Sequence, residues 1–220
     1  MVDIRITPEL KQACPNTRLG VINSDIRYEK ENSKLWDEIE QVISKISSSL
    51  EQIQIAGLPV IRHTREAYLA LGKEPARYRC SAEALLRRVV QGKGLYRVNN
   101  VVDIINLISL LFHFSIGCYD FDKLREPVEF DIGKDKESYT AIGRGMMNIA
   151  CLPTFRDSLG PFGSPTSDSE RTMITAETKN ILIIIIDFGG SDPLADAMDK
   201  TILCLKQYAD ARNPQSLIIS

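Results

Sequence analysis

Asn180-Ile181-Leu182-Ile183-Ile184-Ile185-Ile186-Asp187-Phe188 decides how this sequence of 220 residues is to be folded. Six aliphatic residues follow one another without the apolar–polar alternation of a half-buried strand, and five of them are β-branched isoleucines. The pattern predicts a strand covered on both faces. It is also the longest aliphatic run, far short of the roughly 20 residues that cross a bilayer, so no membrane partner is expected. Downstream, Asp192-Pro193 places a cap before proline at the first helical position, and Leu194, Met198, Ile202 and Leu205 form the packing stripe of a C-terminal helix over residues 192–212. Upstream, residues 160–168 are rich in Gly, Pro and Ser and read as a loop. Strands are predicted at residues 149–152, 139–142, 128–132 and 116–119.

The N-terminal half is mostly helical by periodicity. Short strands at residues 2–6 and 19–22 flank the turn residues Cys14-Pro15-Asn16. Leu35, Ile39, Val42, Ile43 and Ile46 then recur at helical spacing behind Ser33, with Ser47-Ser48-Ser49 expected to fray. A second helix is predicted over residues 62–71, closed by Gly72. A third carries Ala82, Leu85, Leu86, Val89 and Val90 inward, with Ser81 as cap and Gly92 as stop. Residues 101–112 are apolar around most of a helix, which predicts burial, while Asn99, Asp103, Asn106, Ser109 and His113 fall on one stripe. Buried polar groups need partners, so the stripe is either a closed hydrogen-bond network or a cavity wall. With no repeat or linker, the order of elements reads as one α+β domain over residues 1–220, a mixed sheet with packed helices.

Composition narrows the function. The 44% hydrophobic content supports a real core. The first ten residues lack a secretory pattern, so a cytoplasmic protein is expected. Five cysteines stand singly with no Cys-x-x-Cys pair, which argues against a disulfide framework and a zinc site; no metal and no cofactor are expected. Gly143-Arg144-Gly145 is followed by Asn148 where a dinucleotide loop has glycine, and Walker and Gly-x-Ser-x-Gly motifs are absent. The net charge of -2 is uneven: residues 62–97 hold nine basic and three acidic side chains, a local +6. A basic face of that kind attracts phosphate even on an acidic protein. Its alternative is a solvated helix surface.

Four stretches carry a family resemblance: Tyr78-Arg79-Cys80-Ser81-Ala82-Glu83-Ala84-Leu85-Leu86-Arg87-Arg88, Gly92-Lys93-Gly94-Leu95, Val98-Asn99-Asn100-Val101-Val102-Asp103-Ile104-Ile105-Asn106 and Tyr119-Asp120-Phe121-Asp122-Lys123-Leu124. Together they resemble the B3/B4 editing domain of the phenylalanyl-tRNA synthetase beta subunit and its stand-alone relatives. The resemblance runs over residues 78–188, with residues 1–77 and the C-terminal helix fitting more loosely. It implies a pocket that hydrolyses a wrongly attached amino acid from the 3′ end of a tRNA, by a positioned water and oxyanion donors. Partners so implied are tRNA or aminoacyl-tRNA, or a free amino acid, and not DNA. Two positions depart from the synthetase: Gly117 stands where it has histidine, and Pro165 where its Gly-Gly-Glu turn has glutamate.

What remains implies a pocket lined by Asn99, Asn100, Asp103, Asn106, Gly117, Tyr119 and Gly163, with Arg79, Glu83 and Arg97 at its mouth, and Arg87, Arg88 and Lys93 on the tRNA backbone. In this light the polar stripe reads as a cavity wall. Glu83 is the best free carboxylate for a catalytic base; its alternative is a surface ion pair with Arg87, four residues on. Hydrolysis of mischarged aminoacyl-tRNA and non-catalytic binding of tRNA or an amino acid are the two functions to separate.

Overall fold

The computed structural model describes residues 2–190 and 193–220. In chain order they form β1 (Ile4–Ile6), α1 (Pro8–Ala13), β2 (Arg18–Asp25), α2 (Ser33–Ser49), α3 (Pro59–Ala70), α4 (Ser81–Val90), α5 (Asn100–Phe112), β3 (Ser115–Asp120), β4 (Val128–Ile132), β5 (Ser138–Ala141), β6 (Gly145–Asn148), β7 (Pro153–Asp157), β8 (Gly160–Gly163), β9 (Asn180–Asp187), α6 (Pro193–Tyr208) and β10 (Arg212–Ile219). The class is α+β with a mixed sheet and packed helices, but the strands divide between two four-stranded sheets, β10-β2-β9-β3 and β1-β4-β7-β8, and a β5-β6 hairpin. The first sheet is antiparallel throughout; the second is mixed, with β1 parallel to β4.

The unbroken aliphatic run of β9 explains the layering. Ile181, Ile183 and Ile185 pack with Leu35, Trp36 and Ile39 of α2, Ile104 and Ile108 of α5, and Leu194 and Leu205 of α6. Leu182, Ile184 and Ile186 point the other way, onto Val128, Phe130, Phe155 and Phe162 of the second sheet. Side chains alternate across a strand, so one strand feeds both cores and can afford no polar position. The layers are helices, sheet, sheet.

Several local expectations change. Residues 149–152 form a turn, in which Leu152 N–H donates to Ile149 C=O at 2.9 Å and Cys151 takes a φ of 63°. Ile149 and Leu152 are buried, so their apolar signal reported burial and not extension. Residues 160–168 are a strand at their start, because Phe155 of β7 pairs with Gly163 and Phe162 enters the core. The C-terminal helix stops at Tyr208, not 212, and its expected cap Asp192 lies outside the described residues. The chain turns at Asp210, φ 46°, and runs back as β10 on β2. Asn213-Pro214 has the composition of a turn, but proline is tolerated at a sheet edge and the register shifts there. Helix α2 is capped by Asn32 and stays helical through Ser49, where Ser48 and Ser49 donate their hydroxyls back to Lys45 C=O. The cap position of α4 is Cys80, and Ser81 is its first helical residue.

Candidate functional site

The expected site residues fall into three groups. The first is the α5 stripe. Asn99 Oδ1 caps α5 by accepting from Val102 N–H at 2.9 Å. Asn100 accepts from Glu29 N–H at 2.9 Å and donates to Arg27 and Tyr208 carbonyls at 2.8 and 2.9 Å. Asp103 accepts from Trp36 Nε1–H at 2.7 Å and Val98 N–H at 3.1 Å; burial raises its carboxyl, while those two donors and Arg97 pull it back down. At Asn100 and Asp103 these hydrogen bonds tie α5 to α2, to the chain after Asp25 and to the end of α6, while Asn99 caps α5 itself. A buried polar group with a protein partner is not offered to a ligand without a loss. Asn106 is half-buried.

The second group surrounds Tyr119. Its ring stands edge-on to Phe162, centroids 4.8 Å apart, and Oη donates to Asp168 Oδ1 at 2.8 Å. A Cβ at Gly117 would lie 2.0 Å from Tyr119 Oη, and one at Gly163 2.2 Å. Both glycines thus make room for the phenol, and with Tyr119 in this position no histidine fits at 117. Burial pushes the Asp168 carboxyl up to about 7, against hydrogen bonds from Tyr119 and the N–H groups of Cys118 and Ser164. The loop that carries Asp168 is held by Tyr139 Oη on Ser164 Oγ at 3.0 Å and by Tyr68 Oη with Thr166 Oγ1 at 2.8 Å. Asp168 was not among the expected residues, since a Ser/Pro-rich loop gives no sign of which side chain turns inward.

The third group is centred on Glu83. Expected as free or in a surface pair, it is instead 1% exposed and clasped by three arginines. Arg65 Nη1 lies 3.0 Å from Oε2, Arg87 Nε 2.8 Å from Oε1 and Arg79 Nε 3.7 Å from Oε1. Their side chains remain 26%, 20% and 43% exposed, so two positive charges in excess face outward. Arg65 comes from α3 and was legible only as one of many basic residues. This group and the Asp168 loop meet at a seam, where Ser81 N–H donates to Pro165 C=O at 2.7 Å and Thr166 Oγ1 to Tyr78 C=O at 2.9 Å.

Arg97, Arg88 and Lys93 make other contacts. Arg97 stacks on Trp36, 4.5 Å from the ring centroid, and pairs with Glu40 at 3.0 Å. Arg88 donates to Lys93 C=O at 3.2 Å, and Lys93 itself is exposed. Among the described residues no three His, Cys, Asp or Glu side chains are grouped to hold a metal. No described helix is long and apolar enough to cross a membrane.

Residues 63–192, more than half of the chain, match the B3/4 domain family. The chain belongs to that family. The B3/4 match starts within α3 and ends just before α6, and so takes in Arg65, Glu83, the α5 stripe, Tyr119 and Asp168. Among solved structures, this B3/4 chain is similar to an N-terminal fragment of the phenylalanyl-tRNA synthetase beta subunit from Pyrococcus horikoshii, at 15% identity and a TM-score of 0.47, over 100% of this chain and 50% of that one. The chain thus spans half the length of that fragment. No curated protein matches it.

Proposed function

We propose that this B3/4 chain binds aminoacyl-tRNA, with Arg65, Arg79 and Arg87 taking phosphates beside the acceptor end. The observation that carries this is the buried Glu83 holding three partly exposed arginines. One carboxylate cannot neutralise three guanidiniums, and their planar donors match phosphate oxygens. Membership of the family and the resemblance of residues 99–103 and 119–124 to the synthetase editing domain favour tRNA as the anion. The test is binding of charged tRNA over a range of salt. Arg79→Gln with Arg87→Gln should weaken binding and flatten its salt dependence, by about one unit of slope for each phosphate no longer neutralised. An unchanged slope removes the arginines from the interface.

Ester hydrolysis is the second function, and Asp168 favours it. A carboxyl pushed up to about 7 beside Gly163 suits a general base at neutral pH. In that role it takes a proton from water as the oxygen attacks the ester carbonyl, and returns that proton to the ribose oxygen as the acyl C–O bond breaks. Glu83 is poorly placed for this, because both of its oxygens face arginines. Incubation with a panel of mischarged tRNAs separates the two: amino-acid release lost in Asp168→Asn supports hydrolysis, and binding without release leaves the binding function alone.

A further inference from the structure

Tyr96 is a large aromatic side chain left 69% exposed within the basic segment. One face of its ring is covered by the Arg88 guanidinium, 3.9 Å from the centroid. The loop that presents it is fixed on both sides. Arg88 Nη2 donates to Lys93 C=O at 3.2 Å, Leu95 packs against two core clusters, and Val98 N–H donates to Asp103 Oδ1 at 3.1 Å. An inward Leu95 followed by an outward Tyr96 leaves the ring little choice of direction. Arg88 and Arg87 are successive residues of α4, so the stack and one of the three Glu83 arginines are carried by the same short helix, while Arg65 lies on α3 and Arg79 just before α4.

A fixed, exposed ring with a cation on one face is what a nucleobase stacks on, because every base has a π-face and the neighbouring cations attract its phosphate. We infer that Tyr96, backed by Arg88, is a stacking platform for an unpaired base at the 3′ end of the bound tRNA. Arg88 over the ring and the exposed Lys93 on the same loop supply the charge complementarity. This rests on the tRNA-binding function proposed above and adds which part of the RNA is held and by which ring.

The test uses the full chain with a tRNA transcript and the same transcript trimmed of its unpaired 3′ nucleotides. Wild type should bind the trimmed RNA roughly tenfold more weakly. Tyr96→Ala should lose about as much on intact tRNA and nothing further on trimming, while Tyr96→Phe, which keeps the ring, should match wild type. Circular dichroism on each variant checks folding, and a Tyr96→Trp protein should lose more indole fluorescence on adding the intact RNA than wild type, whose single indole is the buried Trp36. Equal binding by Tyr96→Ala and wild type, or no effect of trimming on wild type, overturns the platform, and weakening by Arg79→Gln with Arg87→Gln then shows that the tRNA-binding function survives. No binding of wild type to either RNA overturns both.

Discussion

Tyr119 and Asp168, 49 positions apart in sequence, are joined by a 2.8 Å hydrogen bond from the phenol to the carboxylate. The bond places the phenol against Gly117 and Gly163, so four residues from β3, β8 and the following loop depend on one another. At two of the four the phenol occupies the space that any side chain larger than hydrogen would need.

Gly117→Ala forces its new methyl into Tyr119 Oη. Overpacking of this kind costs about 1–3 kcal/mol, a fall of several degrees in Tm for a chain of this length. Thermal unfolding of Gly117→Ala, Tyr119→Phe and the double variant should show non-additivity, with the loss of the hydroxyl relieving part of the clash. Strict additivity would mean that Tyr119 does not lie over Gly117.

The Asp168 carboxyl is raised from 3.8 to about 7, so between those values the folded protein holds a proton that the unfolded chain releases. The group's contribution is full below pH 4 and is lost as pH rises through 7. Relative to Asp168→Asn, which stays neutral at every pH, wild type should lose up to about 4 kcal/mol of stability across that window in urea unfolding. A difference that is flat or grows with pH contradicts the raised carboxyl.

Glu83→Gln removes the charge that three arginines share. Breaking a buried pair typically costs about 3–5 kcal/mol, and the variant should unfold at lower denaturant with α3 loosened from α4. Amide exchange in those helices reads this directly. Unaltered stability together with loss of amino-acid release would restore Glu83 as a catalytic base.

Asn100 and Asn106 separate network from open position on the same helix. Asn100→Leu strands the Glu29 N–H and the Arg27 and Tyr208 carbonyls, at about 1–3 kcal/mol for each buried group left unmatched. Asn106→Leu, at a half-buried site, should change Tm little. Equal losses would place Asn106 within the network.

Much of this protein is legible one residue at a time. The unbroken Ile/Leu run of residues 181–186 requires burial on both faces, whatever packs there. The spacing of residues 82–90 and the apolar circumference of residues 101–112 require α4 and α5. These are local patterns, and periodicity reports them directly. The same holds for the concentration of positive charge between residues 62 and 97. Which partners those groups take is a property of distant contacts. β8 exists because Phe155 lies beside a glycine-rich segment that composition assigns to a loop, and β10 because β2 has a free edge for it. Glu83 could have sat at the surface beside Arg87 with the helix unchanged; Arg65 approaches from α3 and turns an ion pair into a buried cluster. Asn100 could have lined a cavity until the backbone after Asp25 and the end of α6 closed over it. Side-chain chemistry and period follow from the sequence, because they are set within one or two turns of chain. Burial of a charge and the partner of a hydrogen bond follow only from the fold, because they depend on which segments meet.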